Sequence, residues 1–332
     1  MFSIKLLSRS TSTCISRIDL RALLILRYYS KTVLPTSKSP YILKVSPTEL
    51  EPSQENPLNK FLIDHALQNQ STKATTSFTT ILEQLKSNAN LRLPYILPYE
   101  NAGRIDVTSE SDLTRGIVTI AHVLPLKNKV VLASGFAVLT GELIVTCAHT
   151  FYQAAQYLSS SELDQKTQSI AITHEGHLIP IASVESHLIL SDLVLLRLQE
   201  GRKITALPAD PYPAPVSTSL LSYDLVTVSV SSTSLPTISY SWKPAKVLFY
   251  KDRCGKKVET GTYDELHSMM YSHPPSNGSS GGPIVNKETR SVVGIVRGRE
   301  MSYANQKLIG FATPSECLLE AFKLPGMPDG LE

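Results

Sequence analysis

Cysteine is scarce in this sequence and follows no pattern. The chain holds four cysteines, Cys14, Cys147, Cys254 and Cys317, and no spacing between them recurs. If the N-terminal stretch that contains Cys14 is removed, three cysteines remain, whereas a disulfide framework uses an even set and a structural zinc site uses closely spaced pairs. Both are therefore disfavoured, although one disulfide with one free thiol stays open. We expect no metal ion and no cofactor.

Charge of one sign and long apolar runs are also lacking. The net charge is +3 over 332 residues, and residues 1–31 alone carry six basic side chains against one acid. The remainder is slightly acidic, so it has no basic surplus with which to hold nucleic acid. The longest apolar run of the N-terminal stretch, Ala22 to Leu26, is far too short to cross a membrane. We therefore expect no nucleic-acid partner and no transmembrane segment.

Residues 1–31 have the composition of a targeting segment. They are rich in Ser, Leu and Arg and poor in acids, and charges interrupt their apolar residues. This pattern is typical of a mitochondrial presequence, whereas a secretory signal needs a longer apolar core. Arg27-Tyr28-Tyr29-Ser30 resembles the arginine-directed sites at which matrix processing peptidases cut. We predict a mitochondrial protein of the matrix or the intermembrane space; the alternative is a disordered basic tail.

Residues 32–114 are predicted to form a linker and an N-terminal extension with short helices. Proline and serine are frequent up to Pro57, which indicates an extended segment. Two sets of apolar residues then recur at helical spacing, on which a helix face can pack or hold a partner. We expect them to pack on the domain. They are Leu58, Phe61, Leu62 and Ala66, followed by Phe78, Ile81, Leu82 and Leu85.

From Gly116 onward the sequence consists of short runs rich in Val, Ile and Thr, separated by turn residues. About a dozen such runs predict an all-β sandwich or barrels, and prolines between Pro208 and Pro215 suggest a joint in the middle. Thr313-Pro314-Ser315-Glu316 reads as a capping box before a C-terminal helix. The clearest runs are 116–124, 129–139, 143–147, 169–173, 193–198, 225–230, 245–250, 291–296 and 307–312.

One motif, Asn277-Gly278-Ser279-Ser280-Gly281-Gly282-Pro283, suits a nucleophilic serine. Glycines on both sides of a serine allow a sharp turn and the close approach of a substrate. The amides of Gly278 and Ser280 are then able to converge on the oxyanion of a tetrahedral intermediate. The alternative for this motif alone is a Gly/Ser surface turn.

Two further segments supply a base and an acid. Leu143–His149 is a β-branched run that ends in Ala-His, and Ser191–Leu198 begins an apolar strand with an acid, Asp192. Each is ambiguous alone, because a histidine after a strand and an aspartate before one are usually structural. Together with Ser280 they provide a nucleophile, a general base and an orienting carboxylate.

The segments "IVTCAH", "SDLVLLRL" and "GSSGGP", in this order, resemble the trypsin-like serine proteases. His149 and Asp192 are 43 residues apart, and Asp192 and Ser280 are 88 apart. The flanking "ASGFAVLTGELIVTCAH" and "LIGFATPSECL" are most similar to the HtrA/Deg branch. The resemblance covers residues 115–323 and implies two six-stranded β-barrels with a C-terminal helix. Only a tail, 324–332, follows, so we expect no PDZ domain.

The resemblance also implies roles for particular residues. His149 would be the general base, Asp192 its orienting acid and Ser280 the nucleophile of a serine endopeptidase that acts on proteins or peptides. The alternative is a catalytically silent scaffold or chaperone-like binding protein. Gly278 and Ser280 would form the oxyanion hole, and the substrate-binding residues would be Val296, Arg297, Gly298 and Gly310.

Several positions depart from the wider family. Ser279 stands where secreted members have an aspartate that binds a newly cut N-terminus, so activation by N-terminal trimming is not expected. Pro274 stands where an aspartate would mark a preference for Lys or Arg, so an apolar P1 residue is expected. Two interpretations of Arg297 and Arg299 stay open: both bind acidic substrate residues, or both are solvated side chains. His122 mimics the Ala-His motif and is interpreted as structural.

Overall fold

The computed structural model describes residues 57–68, 76–94, 109–158, 167–230, 235–261, 265–302 and 306–323. The predicted presequence, most of the predicted linker and the tail at 324–332 lie outside these residues. The described chain consists mainly of thirteen antiparallel β-strands with a few short helices. None of its helices has the length and apolar character needed to span a membrane.

The first six strands form a closed barrel in the order β1-β2-β3-β6-β5-β4. Every position of β1 is buried, because alternate residues enter two different core clusters. Ile117 and Ala121 lie in one cluster, and Val118 and Ile120 lie in the other. The strands are β1 Ile117–Leu124, β2 Lys129–Val138, β3 Leu143–Cys147, β4 Gln168–Thr173, β5 Leu178–Leu188 and β6 Leu193–Leu198.

Six of the remaining strands form the second barrel, which closes through pairing between β8 and β10. The short β9 is paired with the end of β8. The predicted pair of six-stranded barrels is therefore confirmed. The strands are β7 Ser219–Ser229, β8 Thr237–Lys251, β9 Lys257–Val258, β10 Ser268–Tyr271, β11 Pro283–Asn286, β12 Val292–Met301 and β13 Leu308–Pro314.

Two helices of the N-terminal extension pack on the barrels. They are α1, Pro57–Gln68, and α2, Phe78–Ser87, and they precede α3, Glu110–Arg115, and α4, Ala148–Ala155. Phe78, Ile81 and Leu85 of α2 are fully buried in one core cluster, and Leu62 of α1 is fully buried in the other. The expectation that these apolar faces pack on the domain is confirmed.

The predicted C-terminal helix is present, but its capping differs from the prediction. Ser315–Ala321 is a 3-10 helix whose N-cap, Pro314, makes no side-chain capping hydrogen bond. Thr313 still belongs to β13, and its Oγ1 donates to the carbonyl oxygen of Ser191 at 2.7 Å. The predicted capping box does not form, because this tertiary contact occupies the threonine hydroxyl.

One core cluster continues from the first barrel into the second. It includes Val145 and Leu195 of the first barrel and Tyr223, Leu225 and Ile295 of the second. Such continuous burial of apolar side chains favours a fixed arrangement of the two barrels. Residues at the ends of strands from both barrels therefore meet along their junction.

Candidate active site

His149 lies in the first turn of α4, directly after β3 ends at Cys147. Its backbone N–H donates to Oδ1 of Asp192 at 2.9 Å, and its Nδ1 lies 2.6 Å from Oδ2 of the same residue. Since an ionised carboxylate only accepts hydrogen bonds, the proton of a neutral imidazole lies on Nδ1. Nε2 is then an acceptor, as a general base requires.

Asp192 is held in the turn between β5 and β6 in the left-handed region, with φ of 57°. Its carbonyl oxygen accepts from the N–H of Ala148 at 3.0 Å. The backbone and the side chain of Asp192 thus both accept hydrogen bonds from N–H groups in the first turn of α4. Such N–H groups have no partner within the helix. This double attachment fixes His149 relative to the carboxylate.

The carboxylate of Asp192 is buried and remains ionised. Burial acts to raise its pKa, but the charge and hydrogen bond of His149 and the nearby guanidinium of Arg297 together hold that pKa below its usual value. Nε of Arg297 lies 3.6 Å from Oδ2, the oxygen that also faces Nδ1 of His149. A buried negative charge therefore lies directly against the Nδ1 side of the imidazole.

The placement of Arg297 corrects one sequence interpretation. Its side chain is only 10% exposed, and its guanidinium lies against Asp192 and 5.6 Å from the ring centre of Phe311. It is therefore not a solvated side chain, and the binding of acidic substrate residues by Arg297 stays a prediction. Arg299, in contrast, is exposed.

Ser280 lies in the loop between β10 and β11, which turns sharply at two glycines. Gly278 and Gly281 have φ of 86° and 87°, a region that favours glycine. A Cβ on Gly281 would lie 2.1 Å from the carbonyl oxygen of Ser134 and 2.5 Å from Oγ1 of Thr146. The glycine is required because the loop lies directly against the first barrel.

The predicted oxyanion donors are not used within the described chain. Neither the N–H of Gly278 nor that of Ser280 donates a hydrogen bond to any described residue. The carbonyl oxygen of Ser279 accepts from Gly282 at 2.9 Å, and in a trans peptide the N–H points the opposite way. The N–H of Ser280 therefore points away from the hydrogen bond between Ser279 and Gly282.

The hydroxyl of Ser280 does not pair with the histidine in this conformation. Its Oγ donates to the carbonyl oxygen of Arg297 at 3.2 Å, and no hydrogen bond joins it to His149. The structure therefore brings together His149 and Asp192 as a hydrogen-bonded pair but not Ser280 and His149. The catalytic roles of all three residues stay predictions.

The predicted substrate-binding residues lie on β12 and β13. Both backbone polar groups of Val296 hold the loop that carries Ser280: its N–H donates to the carbonyl oxygen of Gly282 at 2.9 Å, and its carbonyl oxygen accepts from the N–H of Gly281 at 2.7 Å. Gly298 packs under the ring of Phe311, which would lie 3.0 Å from an added Cβ. Gly310 packs against the ring of Tyr271 and the carbonyl oxygen of His273. Substrate contacts of Val296, Arg297, Gly298 and Gly310 stay predictions.

Sequence reasoning missed Asp224, which lies on β7 and is buried. Its carboxylate accepts hydrogen bonds from Ser276 and Ser279 in the loop that carries Ser280. The available signal was an acid within the apolar run of β7, since acids are seldom fully buried unless they are paired. Its partners are 52 and 55 residues away in the sequence, so no local pattern identifies them.

His122 is structural, as predicted. It is fully buried, with Nδ1 2.9 Å from Oγ of Ser169 and Nε2 3.4 Å from Oγ1 of Thr150. Its ring also lies 4.4 Å from that of Phe151. Burial lowers the pKa of His122 to about 3, because the charged form loses its hydration.

Among the described residues, one group of side chains could supply ligands to a metal ion. It consists of Cys147, His149 and Asp192. One ligand atom from each lies within 4.8 Å of the others. Burial, reinforced by the charge of Asp192, raises the pKa of the Cys147 thiol well above its ordinary value. The thiol donates to the carbonyl oxygen of Val296 at 3.2 Å. A protonated thiol is a poor ligand, so this set fits a metal ion badly.

One family model matches part of the chain. Residues 133–295 match the family model described as the trypsin-like peptidase domain, and this segment contains His149, Asp192 and Ser280. No curated protein matches the chain. A solved structure, the apo form of the MamO protease domain from Magnetospirillum magneticum, matches with 16% sequence identity and a TM-score of 0.43. The match covers 64% of this chain and 98% of that one.

Proposed function

We propose that this trypsin-like peptidase domain is an active serine endopeptidase that hydrolyses protein or peptide substrates. The observation that carries the proposal is the pair of His149 and buried Asp192, with Nδ1 and Oδ2 2.6 Å apart. A serine on a glycine-rich turn, Ser280, lies on the adjoining loop. The unengaged N–H groups of Gly278 and Ser280 add a feature that a purely structural loop does not need.

In the proposed mechanism, Nε2 of His149 accepts the hydroxyl proton of Ser280 as Oγ attacks the scissile carbonyl. The N–H groups of Gly278 and Ser280 bind the resulting oxyanion. The C–N bond breaks as His149 passes the proton to the leaving amine, and the acyl group stays on Oγ. A water molecule then gives a proton to His149 as its oxygen attacks the acyl group. The bond from the acyl carbon to Oγ breaks, His149 returns the proton to Oγ, and the acyl group leaves as a carboxylic acid.

Asp192 acts in this scheme through His149. Its carboxylate keeps the imidazole in the tautomer with a proton on Nδ1 and stabilises the imidazolium that forms during attack. The substrate would lie along β12, with Arg297 and Gly298 offering backbone groups and Gly310 lining the adjacent strand. This placement and the HtrA/Deg affinity rest on the sequence resemblance.

Hydrolysis of an unfolded protein tests the proposal. The purified protein should cleave reduced casein. Ser280→Ala and His149→Ala should each lower the rate of casein cleavage by at least about a thousandfold. Ser87→Ala, which alters an exposed serine at the end of α2, is the control and should leave the rate unchanged. Equal rates for wild type and Ser280→Ala would show that another group, or a contaminant, performs the cleavage.

One observation favours a second candidate, a protease fold that binds clients without cleaving them. Ser280 donates its hydroxyl to the carbonyl oxygen of Arg297 and not to His149. If this contact persists with substrate bound, the serine is not activated and the domain acts as a scaffold. Wild-type protein that binds reduced casein but leaves it intact after long incubation would support this alternative.

We also propose that the protein works in mitochondria, on the basis of the composition of residues 1–31. The N-terminus of the protein isolated from mitochondria should lie beyond this segment. Edman sequencing or N-terminal mass spectrometry of that material reads the mature end directly. Recovery of the protein with Met1 intact from a non-mitochondrial fraction would contradict the proposal.

A further inference from the structure

We propose that Asp224 is a positioning residue for the reaction and holds the nucleophile loop, defined here as residues 273–282, in the conformation that presents both oxyanion amides. The inference rests on the proposed serine endopeptidase function. Asp224 touches no reacting atom: it acts through the two serines of the loop with which it is hydrogen-bonded.

The carboxylate of Asp224 accepts three hydrogen bonds from the nucleophile loop. Oδ1 accepts from the N–H of Ser276 at 2.7 Å and from Oγ of Ser279 at 3.1 Å. Oδ2 accepts from Oγ of Ser276 at 3.1 Å, and Nε2 of His273 lies 3.6 Å away. Asp224 is only 4% exposed, so these contacts replace most of its hydration.

The hydroxyl of Ser279 both donates and accepts a hydrogen bond with β7. It donates to Asp224 and accepts from the N–H of Leu225 at 3.0 Å, so it bridges two consecutive residues of β7. Ser279 is completely buried and directly precedes the nucleophile. Its side chain therefore points into the second barrel and serves as the anchor of the loop.

The first barrel holds the same loop from its other side. Oγ of Ser134 donates to the carbonyl oxygen of Gly278 at 2.8 Å, and the N–H of Ser134 donates to that of Ser280 at 2.8 Å. Two carbonyls of the loop are thus fixed by β2, and the serines at 276 and 279 are fixed by β7. Asp224 supplies the half of this restraint that comes from the second barrel.

The two restraints together fix the orientation of the peptide planes. The planes whose carbonyls Ser134 holds carry the N–H groups of Ser279 and Gly281, and they directly follow the planes that carry the N–H groups of Gly278 and Ser280. Without Asp224, the donors of Ser276 and the buried hydroxyl of Ser279 would lose their acceptor, and a buried donor without an acceptor favours rearrangement of the backbone. Such a rearrangement would also rotate the preceding planes and move the N–H groups of Gly278 and Ser280 off the oxyanion.

Three variants and one matched control test the inference. Asp224→Ala removes every acceptor, Ser279→Ala removes one anchor, and Asp224→Asn keeps an oxygen at the position of Oδ1. Ser186→Ala is the control, because Ser186 is equally buried and its hydroxyl also donates one hydrogen bond, to Leu91 at 2.6 Å. All four should be made in the full chain and checked for folding by circular dichroism.

Steady-state hydrolysis of a peptide ester gives the functional result. Asp224→Ala should lower kcat on the order of a hundredfold with little change in KM, since misplaced donors fail mainly in the transition state. Asp224→Asn should stay within about tenfold of wild type, because its carbonyl oxygen accepts the same two bonds. Unchanged kcat in both Asp224→Ala and Ser279→Ala, or a loss confined to KM, would overturn the inference.

Amide hydrogen exchange tests the holding role without any catalysis. In Asp224→Ala, exchange should accelerate in peptides that cover residues 273–282, including the N–H of Ser276, and stay unchanged in α4. No acceleration in the loop, or an equal acceleration in both places, would overturn the holding role. If wild type hydrolyses nothing while the loop responds as expected, the proposed function fails and the structural role of Asp224 stands.

Discussion

At the scale of single residues, Asp192 has two basic neighbours that differ in how they contact it. His149 faces it at 2.6 Å, in hydrogen-bonding contact, whereas Arg297 lies 3.6 Å from the same oxygen. Cys147, Tyr152 and His187 also lie within the electrostatic reach of this carboxylate. Arg297 is thus part of the charge balance of the pair, although the sequence suggested only a substrate contact or a surface role.

We predict that Arg297→Gln destabilises the protein by about 2 kcal/mol at neutral pH, because a buried carboxylate loses a neighbouring charge. The pKa of Asp192 is lowered in the folded state, so its contribution to stability is present at neutral pH and is lost as acid protonates it. The difference between wild type and variant should therefore shrink below about pH 4. Urea unfolding across pH measures it.

The control for this prediction is Arg299→Gln, which changes an exposed arginine two residues along the same strand. It should alter the free energy of unfolding by less than about 0.5 kcal/mol at every pH. A stability loss in Arg297→Gln that is the same at acid and neutral pH would show that packing against Phe311, and not the charge on Asp192, accounts for it.

His122 leads to a prediction with a different pH window. Its pKa falls from 6.5 to about 3 in the folded protein, so the unfolded chain binds an additional proton between these values. Stability is then full above about pH 6.5 and declines with acid, approaching ~1.4 kcal/mol per pH unit from this residue. His122→Gln should lower stability at pH 7 and flatten the decline between pH 7 and pH 5.

The pH slope is read from urea unfolding at several pH values, with exposed His177→Gln as the control. Buried His187 also has a lowered pKa because of burial, so a residual decline in the same direction remains in the variant. An unchanged slope in His122→Gln would mean that His122 does not remain neutral in the folded state.

At the scale of elements, the nucleophile loop depends on close contact with the first barrel. Gly281 has φ of 87°, and an added Cβ would meet backbone oxygen at 2.1 Å. Gly255 has a similar φ of 81° with nothing within 4 Å of its Cβ position. The two glycines therefore separate the cost of the left-handed conformation from the cost of the clash.

We predict that Gly255→Ala costs about 1 kcal/mol of stability, which is the conformational penalty alone. Gly281→Ala should cost at least about 3 kcal/mol or displace the loop, because a clash with backbone atoms is added. Thermal and urea unfolding compare the two variants. Equal costs would contradict the close packing of the loop on Ser134 and Thr146.

Local sequence patterns predicted most elements but not all. Runs such as Leu193–Leu198 coincide with strands because their residues are buried and β-prone. β5, Leu178–Leu188, was missed because polar side chains interrupt it, and their partners lie elsewhere. Ser186 contacts the extension at Leu91, and Glu185 pairs with Arg197 of β6. The predicted C-terminal helix is present as Ser315–Ala321, but its predicted capping box is not, for the same kind of reason, a tertiary hydrogen bond of Thr313.

At the scale of the whole molecule, the two barrels came from the resemblance of four segments and not from strand periodicity. Periodicity indicated only a sandwich or barrels, since closure depends on pairings such as β8 with β10. The candidate site follows the same division. The order and spacing of the three motifs identified His149, Asp192 and Ser280 in the sequence. The contacts of Asp224 and of the Arg297 guanidinium form only in the folded chain, between residues that are far apart in the sequence.

The central claim is that Ser280 is a nucleophile activated by His149, and covalent capture by a fluorophosphonate tests it most directly. The claim predicts one adduct per chain in the intact mass, mapped by peptide sequencing to Ser280, abolished in Ser280→Ala and strongly slowed in His149→Ala. Folded wild-type protein that forms no adduct, or an adduct that persists in Ser280→Ala, would contradict it.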